Sequence, residues 1–216
     1  LERSEYLELL ADHVQVFDAN QITLGEMDYV LRDVCTQQLI HLELAVKFYL
    51  GVRAAEGWRF PGPDPRDNWQ RKLVRLRSHQ LQLSQRSEAQ ALFAERWGRG
   101  DVQVRQLIYG CLFYPLGETE CLIPEGVQPD CRKGRWLYEA DWDTHFSEVT
   151  EVTIIPKPLW PVEITDAHRA TLPKKSVSVL RAASEQRSTL FALPNCAEPH
   201  FLVPNDWLRV KGNCPE

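Results

Sequence analysis

The sequence lacks the long apolar segments and the compact cysteine patterns that mark several classes of protein. No run of about eighteen apolar residues occurs in the chain, which argues against a transmembrane helix. Its cysteines are scattered without a CxxC pair, so their spacing indicates neither a disulfide scaffold nor a zinc site. They are Cys35, Cys111, Cys121, Cys131, Cys196 and Cys214. We therefore expect reduced thiols in the cytoplasm and no association with a membrane.

Several common enzyme motifs are absent as well. The sequence contains no Walker A segment, no GxSxG turn and no GxGxxG turn, so it gives no support to the nucleotide-binding or serine-hydrolase classes that carry them. No internal repeat or low-complexity tract is evident. The formal net charge of -5 argues against a general nucleic-acid coat protein, although it leaves room for a local basic groove.

The spacing of apolar residues in the first half predicts the order helix, strand, strand, strand, helix, strand. Ser4 is a suitable N-cap for a helix over residues 4–13, with an apolar stripe through Leu7 and Leu10. The polar connection 32–38 makes the two long strands a predicted hairpin. The later elements are strands at 14–17, 23–31 and 39–50, a helical region at 66–97 with a break near 84–87, and a strand at 102–114.

The second half is less regular. Strands are predicted at 149–155 and 201–203, and the segment 176–188 fits either a helix or a strand. Four tryptophans are expected in the core rather than on a base-stacking surface, because large aromatic side chains dominate cores. They are Trp136, Trp142, Trp160 and Trp207. We divide the chain into a core at 1–117 and a C-terminal α+β extension at 118–216, which could pack as part of the same domain.

Charged residues on the predicted hairpin carry the most information about function. Glu26 and Asp28 share a face of the first strand, because side chains alternate along a strand. On the second strand His41, Glu43 and Lys47 share one face, and the residues of the other face are expected to point into the core. Those residues are Leu42, Leu44, Val46 and Phe48.

A charged face on an otherwise apolar strand needs an explanation, since a buried charge requires a partner, a metal or water. In a suitable register Asp28 and Glu43 can converge on one cation. Two carboxylates with room for water and a substrate phosphate suit Mg²⁺ or Mn²⁺.

The same residues resemble a nuclease superfamily. Gly25-Glu26-Met27-Asp28 is similar to the Gly-x-x-Asp strand of PD-(D/E)XK nucleases, and Glu43 matches the glutamate of the following hydrophobic-Glu-x-Lys strand. The order of elements over residues 4–115 resembles the core of that superfamily. The chain more closely resembles an uncharacterised bacterial family of unknown function, which is associated with this superfamily. That resemblance is carried by TLGEMDYVL, HLELAVKFYLG, GPDPRDNWQRKLVRLRSHQL and GCLFYP.

The resemblance implies an α/β fold with a mixed central sheet flanked by helices, the restriction-endonuclease-like core. It implies hydrolysis of DNA or RNA phosphodiester bonds, with Mg²⁺ or Mn²⁺ held by Asp28 and Glu43. Glu5 or Glu8, from the first helix, could add a ligand. The usual lysine position, two residues beyond the acid, is occupied by Ala45. Lys47 lies on the same face about 6.6 Å farther along the strand and is the expected replacement.

A locally basic segment follows the Gly/Pro-rich loop at 57–65. It contains Arg66, Arg71, Lys72, Arg75 and Arg77. Helical spacing places Lys72, Arg75 and His79 on one face, which could hold backbone phosphates without reading sequence. Gln80 falls within the apolar stripe of Trp69, Leu73, Leu76 and Leu83, so it is expected to point inward. Some RecB-like members of the superfamily place a glutamine on the equivalent helix.

Each of these features also has a simpler interpretation. Glu26 and Asp28 could be exposed charges on a one-sided sheet, and Glu43 with Lys47 could be a surface ion pair. The basic helix taken alone is more typical of a solvated face. At the level of function, the alternative to a nuclease is a catalytically inactive nuclease-like scaffold that binds nucleic acid or a protein partner. Ala45 favours this alternative, while Asp28 and Glu43 favour the nuclease.

Overall fold

The computed structural model describes residues 4–98 and 100–209 of the chain. The side chains of Leu76 and Arg77 lie outside the described set, as does all of Cys214. The places predicted for Leu76 in an apolar stripe and for Arg77 in a basic segment are therefore not compared with the structure.

The described residues form an α/β protein with a large mixed sheet and a few helices. The strands are β1 (Leu7–Phe17), β2 (Thr23–Asp33), β3 (Leu39–Leu50), β4 (Val52–Ala54), β5 (Gly57–Arg59), β6 (Val102–Pro115), β7 (Arg132–Tyr138), β8 (Glu151–Ile154), β9 (Lys174–Ser176), β10 (Thr189–Ala192) and β11 (Pro199–Val203). The α-helices are α1 (Trp69–Ser78), α2 (Ser87–Trp97), α3 (Trp142–Phe146), α4 (Asp166–Thr171) and α5 (Val177–Ser184). Short 3-10 helices cover Gln80–Gln85, Glu139–Asp141, Lys157–Leu159 and Trp207–Arg209.

The helix predicted over residues 4–13 is wrong, because this segment is the start of the long strand β1. The strand pairs antiparallel with β2, from Leu7 opposite Asp33 to Phe17 opposite Thr23. The spacing of Leu7 and Leu10 also fits a half-buried strand that contains a register shift, and a shift occurs between Leu9 and Ala11. Pairing with a neighbouring strand overrides local helix preference.

The predicted hairpin of β2 and β3 is confirmed, with Tyr29 opposite Leu42 and Arg32 opposite Leu39. Its turn is built around Asp33, whose Oδ1 accepts hydrogen bonds from the backbone N–H groups of Cys35 (2.9 Å) and Thr36 (2.8 Å). The Thr36 amide is the largest influence that lowers the pKa of the Asp33 carboxyl. An aspartate that satisfies the amides of its own turn is a local signal, which explains why the hairpin could be predicted.

The region predicted as helical at 66–97 contains α1, the 3-10 helix Gln80–Gln85 and α2. Arg86 between the last two has an extended backbone, with φ -72° and ψ 147°. This is the interruption that the sequence predicted near 84–87. The ambiguous segment at 176–188 starts at the last residue of β9 and contains the helix α5, and a short connection leads from α5 to β10.

The chain separates into two compact units. The first consists of residues 1–46 and 71–109, and the second of residues 47–70 and 110–216. The division predicted from sequence, with one boundary after residue 117, stays a prediction about domains, since compactness and independent folding are different properties.

In the first unit, an apolar cluster joins β1 and β2 to the helical segment. Its buried members are Val14, Val16, Met27, Val30, Leu39, Leu83, Ala89 and Phe93. A close approach at Gly25 contributes to this packing. A Cβ atom on Gly25 would lie 2.9 Å from Cδ2 of Leu83, so the glycine lets the 3-10 helix Gln80–Gln85 dock directly on β2.

The second unit contains the parallel part of the sheet. β6 pairs parallel with β7, and β7 pairs parallel with β11. The pairs β11 with β10, β10 with β8 and β8 with β9 are antiparallel. The tryptophans Trp136, Trp142 and Trp207 are buried in the apolar clusters of this unit, and Trp160 packs against one of them, which confirms the prediction that they belong to the core.

Two further sequence expectations can be compared with the fold. None of the described helices is long and apolar enough to cross a membrane. The cysteines within residues 4–98 and 100–209 are all free thiols. They are Cys35, Cys111, Cys121, Cys131 and Cys196.

Candidate functional site

Asp28 and Glu43 meet next to the end of the ladder between β2 and β3. The ladder pairs Tyr29 with Leu42. One residue farther along each strand, carboxylates accept hydrogen bonds from backbone amides of the opposite strand. Asp28 Oδ2 accepts from the N–H of Leu44 at 2.8 Å, and Glu43 Oε1 accepts from the N–H of Asp28 at 3.4 Å. The second bond is long and therefore weak. This exchange places the two predicted ligands side by side within the first unit.

Glu43 is almost completely buried, with 2% of its surface exposed. Its carboxylate is held by two further side chains. His41 Nε2 lies 2.7 Å from Oε1, and Gln80 Nε2 donates to Oε2 at 2.9 Å. Both oxygens therefore have partners, as a buried charge requires. The inward orientation predicted for Gln80 is realised in this bond.

His41 extends the group to the helical segment. Its ring is fully buried, and Nδ1 lies 3.0 Å from the hydroxyl oxygen of Ser84, which is also buried. The spacing of His41 and Glu43, two residues apart on one strand, brings both side chains to the same face. Ser84 reaches them from the 3-10 helix that Leu83 docks on β2.

On the part of β3 that belongs to the first unit, the polar face is buried and the apolar face is exposed, which is the reverse of the prediction. His41 and Glu43 are 0% and 2% exposed, whereas Leu44 and Val46 are 37% and 41% exposed. The expectation that Leu44 and Val46 point into a core is therefore wrong. Alternation predicts which residues share a face, but it does not say which face is covered. The polar face is covered because Gln80 and Ser84 supply hydrogen-bonding partners for it.

The remaining predicted ligands lie elsewhere. Glu8 is on β1 and forms an ion pair with Arg32 at 2.9 Å, and Glu5 is exposed ahead of that strand. No helix carries them, because the segment predicted as the first helix is β1. Glu26 is exposed on β2, where it accepts hydrogen bonds from His13 at 2.9 Å and Gln15 at 3.3 Å. That partnership is an ordinary surface contact.

The predicted catalytic lysine, Lys47, is half-buried on β3 and belongs to the second unit. Its carbonyl oxygen would lie 1.6 Å from a Cβ atom on Gly110, so β6 runs against the backbone of β3 at this point. Ala45, at the usual lysine position, is half-buried.

The predicted phosphate-binding residues lie on and just after α1. Arg75 and His79 are exposed, and Lys72 is half-buried. Within residues 4–98 and 100–209, no ion pair involves Lys72 or Arg75. Gln80, which follows directly in the chain, bonds to Glu43. The basic residues therefore lie just before Gln80 in the sequence, and they belong to the same unit as the acidic pair.

The donor set is compatible with a magnesium-type ion in its chemistry. Among the described residues, no three His, Cys, Asp or Glu side chains are grouped so that they could hold a metal. Asp28 and Glu43 are therefore two predicted ligands, and the described residues place no third one beside them. Mg²⁺ keeps several water molecules and is commonly bound through one or two carboxylates together with substrate phosphates. Residues that fit such an ion are thus present, although Glu43 also has protein partners.

Sequence reasoning missed Ser84 and undervalued His41. The sequence signal for His41 was its place beside Glu43 on an apolar strand. Ser84 is four residues after Gln80, a spacing that would place both on one helical face, but the break predicted near 84–87 hid this signal.

Comparison with known proteins agrees with the sequence resemblance at the level of a family. Neither curated proteins nor solved structures gave a match. A family model described as a domain of unknown function, DUF1853, matches residues 1–200. The match covers most of the chain, and the protein therefore belongs to the DUF1853 family.

Proposed function

We propose that the protein is a metal-dependent nuclease that hydrolyses phosphodiester bonds in DNA or RNA, on a restriction-endonuclease-like core. The observation that carries this proposal is the contact between Asp28 and Glu43 beside the end of the β2–β3 ladder, with Gln80 bound to Glu43. Two carboxylates from neighbouring strands offer oxygen ligands suited to Mg²⁺ or Mn²⁺, and the Gln80 amide holds one of these carboxylates in place.

Each residue of the predicted site has a defined task in this proposal. Asp28 and Glu43 hold the cation, and Gln80 keeps the Glu43 carboxylate oriented. A cation bound there would polarise a phosphate oxygen and lower the pKa of a bound water. The role of offsetting the charge that grows on phosphorus, which Ala45 cannot fill, stays a prediction from the sequence for Lys47 of the second unit. Lys72, Arg75 and His79 bind backbone phosphates without selecting a sequence.

One specific observation favours the alternative, a catalytically inactive nuclease-like scaffold. Both oxygens of Glu43 already accept hydrogen bonds from protein groups, and the residue is 2% exposed. Such a carboxylate is satisfied without a metal ion. In this second candidate the acidic pair stabilises the fold, and nucleic acid or a protein partner is bound on another part of the surface.

Metal binding and cleavage together separate the two candidates. We expect the wild-type protein to bind Mn²⁺ in isothermal titration calorimetry and to cut single- or double-stranded DNA or RNA, with cleavage stopped by a chelator. Asp28→Asn and Glu43→Gln keep the size of each side chain and should remove both properties, because one carboxylate leaves too few ligands. Glu26→Gln is the matched control, since this exposed acid on β2 lies outside the site. A wild type that neither binds Mn²⁺ nor cuts any of these substrates would make the inactive scaffold the better description.

The basic residues are tested by their effect on the salt dependence of binding. Lys72→Glu combined with Arg75→Glu should weaken binding of nucleic acid and reduce the slope of log K against log salt by about 2, as expected for the loss of two phosphate contacts. Arg86→Glu is the control, because Arg86 is an exposed cation in the same unit just before α2. Equal effects of the control and the double variant would identify a general charge effect rather than a binding surface.

A further inference from the structure

The group around Glu43 is a chain of three buried side chains. Ser84, His41 and Glu43 are each no more than 2% exposed. The separations are 3.0 Å from the Ser84 hydroxyl to His41 Nδ1 and 2.7 Å from His41 Nε2 to Glu43 Oε1. Each link therefore has normal hydrogen-bond length in surroundings without competing solvent.

The chemistry of the three groups determines the direction of these hydrogen bonds. A carboxylate only accepts, so His41 Nε2 must donate to Glu43. A neutral imidazole that carries its proton on Nε2 has an acceptor at Nδ1, and the Ser84 hydroxyl is the group that donates to it. The Glu43 carboxylate thus requires an N–H at Nε2 of His41, and Ser84 holds the ring from the other side through Nδ1.

Docking of the 3-10 helix Gln80–Gln85 fixes the position of Ser84, the side chain at one end of this hydrogen-bonded series. Leu83, next to Ser84, packs on Gly25 of β2, and Gln80 at the start of the same helix donates to the other oxygen of Glu43. The carboxylate is therefore held at one oxygen by the histidine and at the other by the amide. Restraint at both oxygens leaves it a single orientation.

We propose that His41 and Ser84 are positioning residues, which hold the Glu43 carboxylate in one orientation through an N–H at Nε2 of His41. The part of this inference that concerns metal affinity rests on the proposed function of Glu43. The part that concerns the N–H at Nε2 does not. Residues that orient a ligand from behind commonly change metal affinity by about 10–100-fold when they are replaced.

The first test needs no metal. Long-range ¹H–¹⁵N NMR spectra of the metal-free wild type should show His41 with its proton on Nε2 and with slow exchange of that proton. Ser84→Ala should speed the exchange of that proton, because the ring loses its partner at Nδ1, whereas Ser84→Thr keeps a hydroxyl and should preserve the wild-type signal. A wild type with its proton on Nδ1 would overturn the inference, and so would a Ser84→Ala variant that keeps the wild-type signal.

The second test measures Mn²⁺ affinity by calorimetry. Ser84→Ala is expected to weaken binding about tenfold, and His41→Gln, which keeps an N–H near the Nε2 position, is expected to retain more affinity than His41→Leu. Val16→Ala is the matched control, because it removes buried volume from the core of the same unit without touching Glu43. If His41 and Ser84 only stabilise the fold, Ser84→Ala will bind Mn²⁺ as the wild type does, which contradicts the inference.

The outcomes distinguish failure of this inference from failure of the proposed function. If the wild type shows the N–H at Nε2 of His41 but binds no Mn²⁺, the proposed metal site is rejected, and Ser84 and His41 position Glu43 for stability alone. If the wild type binds Mn²⁺ and Ser84→Ala leaves the affinity unchanged, the metal site stands and the positioning role is rejected.

Discussion

The two units each bury a histidine, and the two are satisfied in different ways. His41 in the first unit has a side chain at each ring nitrogen, the hydroxyl of Ser84 and the carboxylate of Glu43. Among the described residues, the ring of His200 in the second unit makes one hydrogen bond, from Nδ1 to the backbone carbonyl of Glu198 at 2.9 Å. Its ring otherwise packs beside the aromatic rings of Phe146 and Phe191. The first histidine belongs to a polar network, and the second is part of an aromatic core.

This difference shows when the burial of a histidine indicates a functional site. His200 is explained completely by packing and by one bond to its own segment of chain. His41 connects elements that are far apart in sequence and ends on a carboxylate that has a charged neighbour in Asp28. Burial of a histidine alone is therefore uninformative here, whereas burial together with a chain of side-chain partners points to function.

The largest expected effect comes from removing each histidine in turn. His41→Leu leaves the Glu43 carboxylate without its shortest hydrogen bond and the Ser84 hydroxyl without its partner. We expect this to cost about 3–5 kcal/mol in the free energy of unfolding, as for other broken buried pairs. His200→Leu removes one hydrogen bond to a carbonyl and should cost about 1–3 kcal/mol.

Urea unfolding of the two variants measures this comparison directly. His145→Leu provides a control, because His145 is exposed on α3 and should change stability by less than about 0.5 kcal/mol. Equal losses for His41→Leu and His200→Leu would remove the distinction between the network and the core.

A double-mutant cycle on His41 and Glu43 should give the next largest effect. Each single change to leucine leaves a buried polar group without its partner, whereas the double variant removes both groups of the pair. We expect the double variant to lose about 2 kcal/mol less than the sum of the single losses. The double variant should still be less stable than the wild type, because Gln80 and Ser84 still lack a partner. Additive losses would show that His41 and Glu43 act independently.

The hairpin that carries the site could be predicted from sequence, and its surroundings could not. Alternation in β2 and β3 and the turn at Asp33 are local signals, so the strands and the neighbourhood of Asp28 and Glu43 were predicted. The prediction of which face of β3 is buried was wrong, since the partners that cover the polar face lie on a segment about 40 residues farther along the chain. Gln80 was predicted to point inward from helical spacing, whereas Ser84, four residues farther on, fell at the predicted break near 84–87.

The first strand illustrates a second limit of local reasoning. Leu7 and Leu10 fit one face of a helix, and the same residues fit a strand with a register shift. Only the partner strand β2 decides between them, because a strand is stabilised by cross-strand pairs that local sequence does not contain. The second unit shows the same dependence. Its tryptophans were predicted as core residues from their size, whereas the order of its parallel and antiparallel strands had no signal in the sequence.

The smallest expected effect is a pH dependence of the free energy of unfolding. His200 should cause it, and a variant with no titrating side chain at this position should lack it. Burial is the main cause that lowers the pKa of His200 below the ordinary value of 6.5, and Arg135 adds to it. The hydrogen bond to the carbonyl of Glu198 and the charge of its carboxylate act in the opposite direction. The folded protein therefore binds a proton at His200 less readily than the unfolded chain does.

The sign of the effect follows from this difference. As the pH falls below about 6.5, the unfolded chain takes up a proton at His200 while the folded protein stays neutral there, so stability decreases. The decrease continues until the pH reaches the lower pKa of the folded state, with a slope of at most about 1.4 kcal/mol per pH unit for one proton. In His200→Gln this contribution is absent, and the other titrating groups remain. The difference in unfolding free energy between wild type and variant, measured in urea from about pH 8 to pH 5, should be constant above neutrality and should shift against the wild type below it. A constant difference over the whole range would mean that His200 binds its proton equally well in both states, and its burial in an aromatic core would then have no electrostatic consequence.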